Sequence, residues 1–219
     1  MDIAPYIDHT VLKPETTDSE IERLCREARE SSFAAVCVPP VYVRYARQLL
    51  QGTSVKIATV VGFPFGYSCT SAKLAEIDQA LLDGADELDV VHNLANLKNG
   101  AYNLLEKEIA ACIQPVHAAG KTLKLIIESG ILSDDEIKRC CELYQKHNVD
   151  FLKTSTGYAP IGATVHAVEL IRANSPDRMG IKASGGIRTF SFAKELIEAG
   201  ATRLGCSASM TILQQSKID

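Results

Sequence analysis

Short apolar, β-branched runs alternate along this chain with longer stretches whose apolar residues recur at helical spacing. The runs end near His9, Val38, Val61, Val91, Glu128, Thr154, Ser184 and Cys206. They return roughly every 30 residues, the length of a strand, a helix and two loops. A gap of that length holds a crossover helix, which makes successive strands parallel. Helical patterning fills Asp18–Glu30, Val41–Leu50, Ser71–Asp83, Tyr102–Ala118, Asp134–Lys146, Gly162–Ala173 and Phe190–Ala199. Ser133 before Asp134-Asp135-Glu136 and Thr189 before Phe190 are good N-caps, and Gly84 and Gly200 are helix stops. No proline-, serine- or glycine-rich linker breaks the beat, so residues 1–219 are expected to form one domain. Eight β/α units predict a single (β/α)₈ TIM barrel. A doubly wound open sheet is the alternative, but it needs a switch point and usually fewer strands.

In such a barrel the outer strand face packs on helices, so a mid-strand polar side chain belongs inside. Alternation then sorts the residues. Asp89 opposes Leu88 and Val90 and points inward; Lys153 shares a face with Val149 and Phe151; Lys182 shares one with Gly180 and Ser184. Lys124 and Asp8 are further inward candidates. Carboxylates, lysines and hydroxyls are thus expected to meet at the C-terminal mouth of the barrel, where barrel enzymes carry their chemistry. An interior salt-bridge network with no catalytic role is the plain alternative.

Two of these lysines stand in unusual surroundings. Phe151-Leu152-Lys153-Thr154-Ser155-Thr156-Gly157 places an ammonium between an apolar pair and a hydroxyl run, and Lys182 lies in Gly180-Ile181-Lys182-Ala183-Ser184-Gly185-Gly186-Ile187-Arg188. Desolvation disfavours the charged form of lysine. A lysine that loses its proton near neutral pH is an amine able to attack a carbonyl. One such lysine is ordinarily a charge capping a strand; the pair points to Schiff-base chemistry.

Composition narrows the partners. The net charge of −4 and the absence of any basic run argue against nucleic acid or an anionic membrane surface. Met1-Asp2-Ile3-Ala4-Pro5 has no basic leader, and no apolar run approaches the ~18 residues that span a bilayer. The expected location is the cytoplasm. The seven cysteines are scattered without a C-x-x-C pair, and the five histidines lack ligand spacing. Reduced thiols, no metal and no cofactor are expected. Cys37 and Cys206, near strand ends, read as buried thiols rather than reactive ones.

Two loops suit an anion. Gly185-Gly186-Ile187-Arg188-Thr189 follows the seventh strand, and Gly205-Cys206-Ser207-Ala208 follows the eighth and opens a last short helix. Glycine lets backbone N–H groups approach a phosphate, and barrels often bind phosphate with these two loops. Thr156 and Gly157, after the sixth strand, are candidate further donors.

The chain resembles the deoxyribose-phosphate aldolases, class I aldolases on a (β/α)₈ barrel. The likeness runs in order through Ile7–Pro14, Val36–Pro40, Thr59–Gly66, Gly84–Val91, Lys124–Glu128 and both lysine blocks. It implies reversible cleavage of 2-deoxy-D-ribose 5-phosphate to D-glyceraldehyde 3-phosphate and acetaldehyde. By that resemblance Lys153 forms the Schiff base, Lys182 lowers its pKa, and Asp89 relays protons with Lys182. It also implies a homodimer. Many members carry lysine where Tyr158 stands, and His92 holds a place that is often aliphatic. A sugar-phosphate isomerase using Asp89 as base, or a non-catalytic homologue that binds a phosphorylated metabolite, are the rival readings.

Overall fold

A computed structural model describes residues 1–218. Eight strands form a closed, all-parallel barrel in chain order: β1 (Ile7–Thr10), β2 (Ala35–Val38), β3 (Lys56–Val61), β4 (Glu87–Val91), β5 (Thr122–Ile126), β6 (Phe151–Lys153), β7 (Gly180–Ser184) and β8 (Arg203–Cys206). Around it lie α1 (Asp18–Ser31), α2 (Val43–Leu49), α3 (Thr70–Asp83), α4 (Leu94–Lys98), α5 (Tyr102–Ala118), α6 (Asp134–Tyr144), α7 (Val165–Asn174), α8 (Phe190–Glu198) and α9 (Ser209–Gln215). This is the (β/α)₈ architecture that the periodicity predicts.

The caps explain most boundaries. Ser133 accepts the Glu136 N–H, and Glu136 returns a carboxylate to the Ser133 N–H, which fixes the start of α6. Thr189 caps α8 in the predicted place. The helix expected from Gly162 starts at Val165, because Thr164 accepts the Ala167 N–H and sets the first turn. The stretch expected from Val41 opens as a 3₁₀ turn, Pro40–Tyr42, before α2. The fifth strand stops at Ile126, short of the expected Glu128, whose φ of 54° leaves extended backbone altogether. The short helix α4, capped by Asn93, has too few residues to show a helical period.

Apolar packing falls into two layers. The larger one lies between the barrel's outer face and the helices, with Val36, Ile57, Leu88, Leu125, Leu152, Ile181 and Leu204 buried against Ile21, Ile77, Ile109, Ile171 and Leu196. The smaller one lies inside the barrel, where Cys37, Ala58 and Val60 pack with Leu12 and Phe63. The barrel's interior is therefore apolar on its β2–β3 side. Its β4–β8 side, with Asp8 of β1, is charged, and the functional candidates stand there.

Candidate active site

Register places the inward residues side by side. Val60 pairs with Asp89, Asp89 with Lys124, Lys153 with Lys182, and Lys182 with Arg203. Parallel partners share a face, so the predicted inward set does converge. One oxygen, Asp89 Oδ2, accepts from both Lys153 Nζ at 2.8 Å and Lys182 Nζ at 2.7 Å. Lys124 Nζ donates to Asp89 Oδ1 at 2.8 Å. Lys182 Nζ also lies 2.5 Å from Asp8 Oδ2.

Two residues that the sequence reading passed over complete the network. Glu87 sits 2.6 Å from Lys124 Nζ, and the Arg203 guanidinium reaches Asp8 at 2.6 Å and Glu87 at 3.1 Å. Their signal was strand parity: Glu87 shares a face with Asp89, and Arg203 with Gly205. Both stand at strand starts beside turn residues, which hid them.

Inside the barrel, four cations (Lys124, Lys153, Lys182, Arg203) meet three carboxylates (Asp8, Glu87, Asp89). One positive charge is in surplus, and contact geometry says where it falls. Lys124 lies within 3 Å of both Glu87 and Asp89, and Lys182 of both Asp8 and Asp89. Among the carboxylates of the described residues Lys153 touches Asp89 alone, and it shares that oxygen with Lys182. The titrations follow. Burial and the Lys182 charge push the Lys153 ammonium below the ordinary lysine value, against the pull of Asp89. Lys182 is equally buried, but Asp8 and Asp89 hold its proton well above the ordinary value. Burial alone would raise Asp89; the ammonium groups of Lys124, Lys153 and Lys182 outweigh it and keep the carboxyl well below the usual range. Asp8, similarly opposed by burial, is held at about 2 by Lys182, Lys124 and Arg203. The arrangement keeps three groups charged and makes one lysine easy to deprotonate.

Lys153 opens onto a cavity of about 230 Å³ at the C-terminal mouth, walled by Thr10, Leu12 and the loops after β6, β7 and β8. All the anion-binding candidates line it: Thr156, Gly157, Gly185, Gly186, Arg188, Gly205 and Ser207. They differ in what they offer. The N–H groups of Gly157, Gly186 and Ser207 donate to no protein atom among the described residues, and Arg188 has no carboxylate partner among them. Thr156 is different, because its N–H and its hydroxyl both go to the Glu128 carboxylate. Gly205 serves space: a Cβ there would stand 2.9 Å from Ser184 Cβ and 3.1 Å from Lys182 Cε. The Tyr158 hydroxyl donates to the Leu12 carbonyl at 2.9 Å, and its ring meets Phe63 edge-on, tying three loops at the rim.

Cys37 and Cys206 are buried, and desolvation pushes both thiols up, Cys206 to about 12. His92 is buried with Nδ1 2.9 Å from the Tyr144 hydroxyl. The described residues hold no group of three or more His, Cys, Asp or Glu arranged as metal ligands. No described helix is long and apolar enough to cross a membrane.

Known proteins resemble this chain over nearly its whole length. The family described as "DeoC/LacD family aldolase" matches residues 3–215. A deoxyribose-phosphate aldolase of Caldanaerobacter subterraneus subsp. tengcongensis is 45% identical over 99% of this chain and 94% of its own length. One from Macrococcus caseolyticus is 47% identical over 98% of this chain and 96% of its own length. Among solved structures, a deoxyribose phosphate aldolase from Aeropyrum pernix, described as uniquely tetrameric, superposes with a TM-score of 0.92 at 30% identity. That match covers 98% of this chain and 91% of the other. An aldolase designated QR15 gives a TM-score of 0.94 at 38% identity, covering 100% of this chain and 97% of the other.

Proposed function

This chain belongs to the DeoC/LacD aldolase family, and we propose that it is a class I deoxyribose-phosphate aldolase with Lys153 as its Schiff-base nucleophile. It cleaves 2-deoxy-D-ribose 5-phosphate to D-glyceraldehyde 3-phosphate and acetaldehyde, and runs the reverse addition. The observation that carries the reading is the sharing of Asp89 Oδ2 by Lys153 and Lys182 in an interior with one cation in surplus.

The chemistry follows from that surplus. Neutral Lys153 adds to the C1 aldehyde of the open-chain sugar, giving a carbinolamine. Loss of water leaves an iminium, whose positive charge returns to the place the Lys153 ammonium left, beside Asp89. The iminium draws electrons from the C2–C3 bond. When the C3 hydroxyl gives up its proton, that bond breaks, the aldehyde product leaves, and the electron pair rests in a neutral enamine. Protonation at C2 and hydrolysis then release acetaldehyde and free the amine. Lys182, held as an ammonium, gives its proton for dehydration; its amine then takes the C3 hydroxyl proton and returns it to C2, while Asp89 accepts from both lysines and orients them. Lys124 and Asp8 support the set by fixing Asp89 and Lys182. The phosphate takes the N–H groups of Gly157, Gly186 and Ser207 with Arg188, while Gly185 and Gly205 let the loops close around it.

An isomerase reading would need a carboxylate base poised near neutral pH. Asp89, held well below the usual range, is a poor candidate for that task. We extend the proposal to assembly as a homo-oligomer, dimer or larger, since a solved relative is tetrameric; a monomer in sedimentation at micromolar concentration would refute it.

The test is borohydride reduction in the presence of acetaldehyde, followed by peptide mass mapping. A two-carbon adduct on Lys153 is expected. An adduct on Lys182 reverses the two roles, and turnover with no lysine adduct sinks the covalent mechanism.

A further inference from the structure

Glu128 takes no part in the chemistry above, yet its setting is unusual. It is buried, 4% exposed, and makes no ion pair among the described residues. Its φ of 54° and ψ of 54° put a non-glycine residue in the left-handed region, a conformation that tends to persist where the surroundings enforce it for a purpose. The ladder continues on both sides of it: the Ile127 N–H donates to the Lys153 carbonyl at 3.0 Å, and the Ser129 N–H to the Thr154 carbonyl at 2.7 Å. The left-handed turn therefore swings the Glu128 side chain beneath the loop that follows β6 while its neighbours stay paired to that loop.

The carboxylate then takes both donors of one residue, the Thr156 N–H at 3.1 Å and the Thr156 hydroxyl. Thr156 Oγ1 in turn accepts the Tyr158 N–H at 3.1 Å. Gly157, on the cavity wall, is caught between these anchors at a φ of 89°, and its own N–H donates to no protein atom among the described residues. A carboxylate suits this place because it accepts two hydrogen bonds and donates none. Burial pushes its carboxyl above the usual glutamate value, and the two Thr156 bonds oppose that rise.

We propose that Glu128 is a positioning residue for the anion end of the site: by holding Thr156 it fixes the Gly157 N–H toward a phosphoryl group, and so sets the preference for phosphorylated over unphosphorylated sugars. The inference rests on the phosphate-binding reading given above.

Four measurements on Glu128→Gln and Glu128→Ala test it. These are kcat and KM for 2-deoxyribose 5-phosphate, the same for 2-deoxyribose, inhibition by inorganic phosphate, and reductive trapping of Lys153 with acetaldehyde. Glu128→Gln keeps one acceptor and turns an NH₂ toward the other donor. Its kcat/KM for the phosphorylated sugar is expected to fall roughly tenfold, the scale of one good hydrogen bond, and to fall through KM. Phosphate inhibition weakens by a similar factor, while trapping and the unphosphorylated reaction hold within about twofold. Equal losses on both sugars, or an unchanged ratio between them, overturn the inference. If both variants misfold, Thr156→Val keeps the Thr156 N–H bond to Glu128, removes the hydroxyl that bonds Glu128 and accepts the Tyr158 N–H, and is expected to shift the ratio the same way by a smaller factor. A wild-type protein with no preference for the phosphorylated sugar and no inhibition by phosphate overturns the phosphate reading itself. A wild type that shows both, beside variants with its ratio, overturns only the role of Glu128.

Discussion

Replacing Lys182 with methionine tests the charge argument directly. Both lysine nitrogens lie within hydrogen-bond distance of Asp89 Oδ2, so they are at most about 5.5 Å apart. At an effective dielectric of about 20, two unit charges at that separation repel by about 3 kcal/mol, equivalent to about two pKa units. Methionine preserves most of the volume and removes the charge. The interior then has three cations for three carboxylates, and the Lys153 ammonium is no longer in surplus. The Lys153 pKa is expected to rise by one to two units, on the order of that repulsion. Attack needs the neutral amine, so the rising limb of its reactivity must move to higher pH. The assay is the initial rate of cyanoborohydride trapping of acetaldehyde on Lys153, followed by peptide mass spectrometry across pH. It reads the amine and leaves C–C cleavage, where Lys182 also donates protons, out of the measurement. A limb that stays in place or moves to lower pH refutes the argument that Lys182 depresses the Lys153 pKa.

Lys153→Met is expected to abolish turnover and to raise the urea midpoint at neutral pH, because the folded state disfavours this ammonium and the unfolded chain does not. With the folded pKa below the unfolded one, the wild type should gain stability as pH rises from the folded value towards about 10.4, and the variant should lose that slope; a variant less stable than wild type at pH 7 contradicts this. Gly205→Ala crowds Lys182 Cε and Ser184 Cβ, so a loss of about 1–3 kcal/mol in denaturant unfolding and a fall in kcat are expected. Lys73, fully buried, donates to Glu108 and to the Val91 carbonyl at 2.8 Å each; Glu108→Leu strands that charge and should cost about 3–5 kcal/mol, with part recovered in the double variant Lys73→Met, Glu108→Leu.

The barrel was legible because its signals are local and repeated. A parallel strand buried on both faces reads as an apolar run, and Ala35-Val36-Cys37-Val38 is buried throughout. Alternation then exposed Asp89, Lys124, Lys153 and Lys182 as exceptions that had to face inward. Where the reading ran long, at the end of β5, the run Leu125-Ile126-Ile127 carried the apolar pattern past the point where the backbone turns. Nothing in residue type marks Glu128 as left-handed; the partner its carboxylate finds there is Thr156, 28 residues on in the loop after β6. Tertiary contacts of this kind leave no period in the sequence.

Even the charge surplus was partly written in the chain. The inward residues read from alternation, Asp8 and Asp89 against Lys124, Lys153 and Lys182, already carry one cation too many, and Glu87 with Arg203 adds only a neutral pair. What the sequence does not contain is the identity of the lysine left over. All three occupy inward positions on short strands, and each follows an apolar residue. The decision lies in how many carboxylates each nitrogen touches, and that depends on strand stagger. β5 carries Lys124 down to Glu87, and β7 carries Lys182 across to Asp8. β6 sets Lys153 at the mouth, where Asp89 is the only carboxylate it touches among the described residues. The same stagger that deprives Lys153 of a second counter-ion also places it on the cavity wall, so the residue easiest to deprotonate is the one a sugar can reach.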